Sequence, residues 1–424
     1  MLSATNLQKV RYQIMGKKAA YEYSIDDQVQ TIMYGSVFGD KQIREKMTVE
    51  LKERLIEAKR ENRPLRIYAG YDPSAPDIHI GHTITMRKLR QFQDFGHEVV
   101  FLVGTFTAQV GDTSDKTTGR PRKTMEQVQE AAKSYARQCY KVLDPDKTTV
   151  LFNNEWLDKL TLKDMVSIAS NFTVQQFLAR DNYRKRIEAG NPVALHEFFY
   201  ALLQGYDAVH IKCDVQIGAK EQLFNILAGR KLQEAYGQKP CVCITYPILV
   251  GLDGKMRMSK SIGNYIGVCE PPGDQYGKTM SISDETMIEF ITYVTRWPKE
   301  KTEKYIHELQ NNRLHPMAVK KELAWEIVDM FHGNEAADKA QADFESLHQK
   351  RKIPQDMPEI TLESPENIIT FLNEVGAVKS KSEARRLIDG KGVKIDEKPV
   401  ESYDALVESN SILQVGKRRF WRIN

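Results

Sequence analysis

The sequence predicts an α/β protein: a parallel-sheet domain with a helical insertion, then an α-helical domain, then a small α+β tail. Three observations carry this prediction. Short apolar runs alternate with helical stretches up to about residue 270, which is the rhythm of a parallel sheet. After Pro271-Pro272 the runs stop, and a helical pattern rich in Glu and Lys takes over. A proline-bearing stretch without periodicity, 353–363, then separates a last segment of different character.

In chain order, residues 1–64 read as an N-terminal helical extension. Within it Leu51, Leu55 and Ile56 recur at helical spacing over 40–62, until Pro64 breaks the pattern. The sheet domain spans 65–270. Its first strand, 65–69, ends in Gly70-Tyr71-Asp72-Pro73, and a helix follows over 82–95. The run Glu98–Val103 does not alternate, so it reads as a strand buried on both faces. Further strands are expected at 149–152, 214–218 and 241–249, with helices inserted over about 124–210. The helical domain covers 271–352, the linker 353–363 and the tail 364–424. In the tail, a short helix holds Phe371, Leu372 and Val375, and another covers 381–387, ended by Asp389-Gly390. Strands are expected at 393–395 and 420–423.

Composition excludes several classes. A chain of 424 residues suits two or three domains of roughly 150 residues each. With 41% hydrophobic residues it can bury cores, which excludes wholesale disorder. No run of about 18 uncharged apolar residues occurs, so no membrane span is expected. Five cysteines cannot all pair, and Cys241 and Cys243 stand too close together for a metal knuckle. A reducing, cytoplasmic compartment and no protein-held metal are the simplest expectations. A net charge of +4 does not by itself announce a nucleic-acid partner. Lys9, Arg11, Lys17 and Lys18 precede the first acid, Glu22, a pattern shared by transit peptides and basic first helices. The apolar region of a secretory signal is missing.

Two motifs carry chemistry. Asp77-Ile78-His79-Ile80-Gly81-His82 follows a strand and opens a helix. Gly81 lets a flat ring approach the backbone, and a helix start offers free N–H groups to phosphate. Imidazoles three apart share the first turn and can donate to a phosphoryl group that gains charge in a transition state. Gly254-Lys255-Met256-Arg257-Met258-Ser259-Lys260-Ser261 is a basic loop flanked by Gly254 and Gly263. Such a loop can move and clamp a triphosphate. Two surface histidines, or an exposed basic loop, would explain either motif alone. A third stretch puts Tyr200, Gln204 and Asp207 on one helix face, as a polar pocket wall or as a mixed surface.

Taken together, the two motifs resemble the HIGH and KMSKS signatures of class I aminoacyl-tRNA synthetases. His79-Ile80-Gly81-His82 matches in full; the second motif departs once, with Arg257 in place of lysine. The segment around Tyr200 is similar to the tyrosine-pocket helix of bacterial-type tyrosyl-tRNA synthetases. The resemblance runs from about residue 65 to the C-terminus. It implies a Rossmann-like catalytic domain, an anticodon-binding helical domain and a tail like the RNA-binding module of a ribosomal small-subunit protein. Lys379, Lys381, Arg385, Arg386 and the segment Lys417-Arg418-Arg419-Phe420-Trp421-Arg422 suit RNA in that tail.

The resemblance also implies roles. Tyr68 and Asp207 would bind a phenol, and Asp72, Asp112, Tyr200, Gln204 and Gln216 an ammonium. Gln222 would face a carboxylate, and Thr107 lies on the same loop as Asp112. Gly70, Ser74, His79, Gly81, His82, Gly218, Glu221, Met258 and Lys260 would bind ATP. The catalytic set would be His79, His82, Lys116, Arg120, Arg257 and Lys260. Two positions depart from the family: Ala219 stands for a glycine, and Glu221 for the aspartate that holds the ribose. The implied reaction joins L-tyrosine to tRNA(Tyr) through an adenylate, with ATP and Mg²⁺ as reactants and no tightly bound cofactor. The implied assembly is a homodimer away from any membrane. A site that aims Asp207 and Tyr68 at a hydroxyl strands buried polar groups when phenylalanine enters, so it rejects that analogue. Tryptophan fits this pair poorly. A paralogue acting on a modified tyrosine or another acceptor stays open, as does an RNA-binding protein with a decayed site. Intact His79, His82, Asp207 and Lys260 speak against decay.

Overall fold

The computed structural model describes residues 23–73, 77–112, 124–260, 262–348, 357–362, 364–378, 380–416 and 419–424. Ser74, Lys116, Arg120, Lys379, Lys417, Arg418 and the basic first twenty residues therefore lie outside the described residues. The chain divides into two compact units, 1–341 and 342–424.

In the first unit, β1 (Arg66–Tyr71), β2 (Glu98–Val103), β3 (Thr148–Phe152), β4 (Val215–Ala219) and β5 (Val242–Tyr246) form one sheet. Its order is β3-β2-β1-β4-β5, and every pair is parallel. β2 is buried from Val99 to Val103, which is why its sequence is an unbroken apolar run. The order reverses direction between β1 and β4. Such a reversal opens a crevice at the carboxyl ends of the strands. Tyr71-Asp72 leaves β1 there, and Ala219 leaves β4 there.

Residues 25–60 are not an appendage beside this sheet. α1 (Ile25–Met33) and α2 (Lys41–Arg60) lay Ile32, Leu51 and Leu55 in the main core, each almost wholly buried. Between them, Val37 N–H donates to the Thr245 carbonyl at 2.8 Å. The Tyr246 hydroxyl donates to the Ile32 carbonyl at 2.5 Å. The segment thus covers β5, an edge strand whose open backbone would otherwise invite pairing with another chain. Leu51 and Leu55 make one amphipathic face that cannot stand alone in water, so the helix needs the sheet domain.

The expected insertion is also shorter than read. α3 (Ile80–Asp94) joins β1 to β2. After the short helix α4 (Thr107–Val110), α5 (Met125–Gln138) belongs to the β2-to-β3 crossover. Inserted helices begin only after β3, with Asn154–Leu157, and run through Leu162–Ala169, Val174–Leu178 and Asp181–Glu188 to α6 (His196–Ile211). α7 (Leu223–Ala235) then connects β4 to β5. β3, expected at 149–152, forms the edge of the sheet, and its burial is only partial.

After β5 come α8 (Pro272–Met280), α9 (Asp284–Tyr293), α10 (Lys299–Gln310), α11 (Pro316–His332) and α12 (Asn334–His348). Leu323 and Ile327 on α11 are fully buried. Arg296 ties the end of α9 to α11 by ion pairs with Glu326 and Asp329.

The second unit is a small α+β module. Its strands are β6 (Glu359–Ile360), β7 (Glu366–Asn367), β8 (Val393–Ile395), β9 (Lys398–Pro399), β10 (Leu406–Val407), β11 (Ser411–Val415) and β12 (Arg419–Ile423); β9, β8, β11 and β12 pair antiparallel in that order, and β7 pairs with β10. Helices Ile368–Glu374 and Lys381–Asp389 bury Phe371, Leu372 and Ala384. The reading of 353–363 as a free linker needs correction. Glu359–Ile360 is a short strand, β6, parallel to β12, and Leu362 N–H donates to the Asn424 carbonyl at 2.9 Å. Two residues after Pro358 carry no periodicity of their own; a distant partner makes them a strand.

Candidate active site

Every expected site residue that the structure describes belongs to the first unit. His79 is the N-cap of α3, immediately beyond β1. Its Nδ1 accepts from Gly81 N–H at 3.2 Å, and its own N–H donates to His82 Nδ1 at 3.2 Å. The ring centroids lie 3.8 Å apart. With both Nδ1 atoms accepting, each neutral ring keeps its proton on Nε2, as a donor. Burial drives the His79 imidazole far below its ordinary range, with His82, Lys260 and Arg257 adding to the effect. Burial, then Lys260, pushes His82 down to about 4, against the hydrogen bond from the His79 backbone. Both rings are therefore uncharged at neutral pH.

The segment that follows the basic loop runs beside this pair. Ile80 N–H donates to the Ile266 carbonyl and Val268 N–H to the Ile78 carbonyl, both at 2.9 Å. At the loop's base, Gly251 N–H donates to the Met256 carbonyl at 2.7 Å and Met258 N–H to the Leu249 carbonyl at 2.8 Å. Asn264 braces the interior: its Oδ1 accepts from Ser259 N–H at 2.8 Å, and its Nδ2 donates to Asp253 at 3.1 Å. Gly254 and Gly263 sit at φ +67° and +79°, where a glycine is favoured. The buried Lys260 ammonium lies 6.0 Å from the Tyr135 ring. The imidazoles and the loop cations thus share one place.

Across the crevice runs a chain of hydrogen bonds. Tyr200 Oη donates to Asp72 Oδ2 at 3.0 Å, and Thr107 Oγ1 to Asp72 Oδ1 at 2.7 Å. Asn153 Nδ2 reaches Thr107 Oγ1 at 3.1 Å and Asp207 Oδ2 at 3.2 Å. Trp156 Nε1 donates to Asp207 Oδ1 at 2.8 Å. Burial pushes the Asp207 carboxyl up to about 8; Asn153 and Trp156 pull the other way, and Asp72 adds to the rise. Gln222 Nε2 donates to Asp112 Oδ2 at 2.5 Å, and Gln222 Oε1 accepts from Asn225 at 3.0 Å.

Four expected site residues present a buried atom that meets no partner among the described residues: Tyr68 Oη, Gln204 Oε1, Gln216 Oε1 and Glu221 Oε2. Buried polar atoms are seldom left so, because each costs about 1–3 kcal/mol. Tyr68 and Gln216 stand side by side in register on β1 and β4, and Tyr68 lies near Asp207, so a ligand entering there meets unpartnered polar atoms. Glu221 is pushed up to about 7, chiefly by burial, with Asp112 adding. Gly70 is exposed on β1, Gly218 lies next to the end of β4 beside Ile226, and Met258 is buried. Among the described residues no cluster of three or more His, Cys, Asp and Glu side chains is arranged for a metal ion. No described helix is long and apolar enough to cross a membrane.

Sequence reasoning missed Asn153 and Trp156. One weak signal was present. They follow Val150-Leu151-Phe152 directly, at the carboxyl end of a strand, where ligand sites gather in such sheets.

In the second unit, Lys381, Arg385 and Arg386 are exposed on one helix, and Arg419 to Arg422 lie on β12. The Arg385 guanidinium sits 5.9 Å from the Tyr403 ring.

Residues 59–349 match the family described as tRNA synthetases class I (W and Y), and 367–413 match the S4 domain. A tyrosine–tRNA ligase of Thermotoga maritima is 46% identical over 375 residues, 88% of this chain and 94% of that protein. One from Mannheimia succiniciproducens is 48% identical over 370 residues, 87% and 93%. One from Desulfotalea psychrophila is 42% identical over 404 residues, 94% and 98%. Among solved structures, a C-terminally truncated mitochondrial tyrosyl-tRNA synthetase of Aspergillus nidulans shares the fold at TM-score 0.61 and 22% identity. That match covers 81% of this chain and 98% of the other.

Proposed function

The chain belongs to the class I tRNA synthetases of the W and Y type, and from that premise we infer that it is a tyrosine–tRNA ligase. It activates L-tyrosine with ATP to tyrosyl-adenylate and pyrophosphate, then passes tyrosine to the 3′ end of tRNA(Tyr). The observation that carries the choice of amino acid is the convergence of Tyr68, with its partnerless buried hydroxyl, and Asp207 on one pocket. A phenol O–H donates to an Asp207 carboxyl oxygen and accepts from Tyr68, and phenylalanine can do neither.

On this reading the steps are as follows. The tyrosine ammonium meets Asp72, Tyr200, Gln204, Gln216 and Asp112, with Thr107 steadying Asp72. Its carboxylate, beside Gln222, attacks the α-phosphorus of ATP as the bond to pyrophosphate breaks. No side chain need form a bond to substrate, so positioning and charge stabilisation supply the rate. His79 and His82 donate neutral Nε2–H groups to the phosphoryl oxygens. Neutral rings can do this without the cost of a buried charge. Arg257 and Lys260 take up the charge on the departing pyrophosphate, a role that the resemblance alone extends to Lys116 and Arg120. Glu221 holds the ribose, and Gly70, Gly81, Gly218 and Met258 border the nucleotide; Ser74 is assigned there by the resemblance alone. Mg²⁺ accompanies the triphosphate.

The S4 tail and its exposed cations support tRNA binding. Leu162, Val166, Val174 and Leu195, all on or near the inserted helices, are exposed apolar side chains, between 58% and 83% accessible. They support a homodimer closed through this segment. A cytoplasmic location accords with five free cysteines. ATP–pyrophosphate exchange with a panel of amino acids tests the whole reading. Tyrosine-dependent exchange, absent with phenylalanine and tryptophan, is expected; exchange with another amino acid in its place would overturn it.

A further inference from the structure

We propose that His210 is a positioning residue for the phenol-binding carboxylate, acting through the ring of Trp156; this rests on the tyrosine reading above. The Trp156 indole is held at two places. Its N–H edge donates to Asp207 Oδ1 at 2.8 Å. Its face is covered by the His210 imidazole, with centroids 4.3 Å apart and planes 13° from parallel. Asp207 and His210 are three residues apart on α6, so one helical turn supplies both the acceptor and the stacking plate.

His210 itself is exposed and belongs to none of the motifs. Its value lies in where it sits. A cleft of about 380 Å³ opens on this side of the indole, with Tyr206, Lys159 and His210 among its walls. Without the imidazole, the outer face of the indole would meet water and the ring would lose its stop on that side. The N–H would then swing away from Asp207, leaving the carboxylate held by Asn153 alone. A carboxylate free to turn meets a phenol less well, and the penalty falls on tyrosine rather than ATP.

The test is steady-state ATP–pyrophosphate exchange with the full chain and the variants H210A, H210F, W156F and H210A/W156F. H210A is expected to raise the KM for tyrosine about tenfold, the scale of one misaligned hydrogen bond to a charged group. The kcat at saturating tyrosine and the KM for ATP should stay put. H210F, which keeps a flat ring over the indole, should restore the KM for tyrosine. In W156F, whose ring has no N–H, adding H210A should change nothing further. An unchanged KM for tyrosine in H210A, a parallel rise in the KM for ATP, or additive effects in the double variant would each overturn the proposal. A parent enzyme that fails to activate tyrosine would overturn the functional reading instead, so the two failures are distinct.

Discussion

The Thr107 hydroxyl donates to Asp72 Oδ1 at 2.7 Å, and the bond has room only because residue 104 lacks a side chain. A Cβ at Gly104 would lie 2.0 Å from Asp72 Oδ1 and 2.4 Å from Thr107 Oγ1. Gly104→Ala must therefore push Asp72 off Thr107 and Tyr200. The expected outcome is a KM for tyrosine raised by about tenfold or more, with about 1–3 kcal/mol of stability lost to overpacking. Unchanged tyrosine kinetics would show that Asp72 does not need this position.

His82→Asn removes a neutral donor and leaves the tyrosine pocket alone. The activation rate should fall by about a hundredfold, the scale of one lost transition-state donor. Tyrosine affinity, read by equilibrium dialysis, should hold. Equal losses in rate and affinity would assign His82 a structural role.

Asp207 gives a pH-dependent cost. Its carboxyl titrates near 8 when folded and near 4 when unfolded, so the folded state binds the proton more tightly. That contribution is fully present below about pH 4 and is lost as pH rises to about 8. Asp207→Asn, which cannot titrate, should gain stability over the parent across this window and level off above it. Thermal unfolding from pH 5 to 9 checks the trend; a constant difference would contradict it. The same variant should lose tyrosine activation.

Removing the tail should separate the two half-reactions. Because Glu359–Ile360 pairs with β12, the cut belongs before Met357 rather than at Ser364. Adenylate formation should persist and tRNA charging should collapse. Full charging by the shortened enzyme would mean that the tail does not bind tRNA.

Ala219 and Glu221 are the two departures from the family's pattern at the proposed nucleotide site. Ala219 has φ −79° and ψ 159°, which any residue adopts, so its methyl costs space and not strain. Ala219→Gly with Glu221→Asp is expected to lower the KM for ATP. An unchanged or higher value would refute the idea that these two residues crowd the nucleoside.

Much of the fold was legible because its physics is local. Val99–Val103 is apolar throughout because both its faces are covered, and Asp389-Gly390 stops a helix. The histidine turn was legible for the same reason: His79, Gly81 and His82 meet within a single turn. What stayed hidden depends on distant partners. Asn153 becomes a junction only when the end of β3 arrives beside α6. Glu359–Ile360 becomes a strand only against β12, and the apolar face of α2 finds its purpose only on β5.

That last rung in the tail also sets an order of events. β6 comes before the rest of its module in sequence, yet its partner is β12, made after everything between them. The module can be wound up early but not fastened until residues 419–423 leave the ribosome. A message cut short there would release a chain with Ile360 and Leu362 bare, marked for capture by chaperones or proteases before it could compete for tRNA.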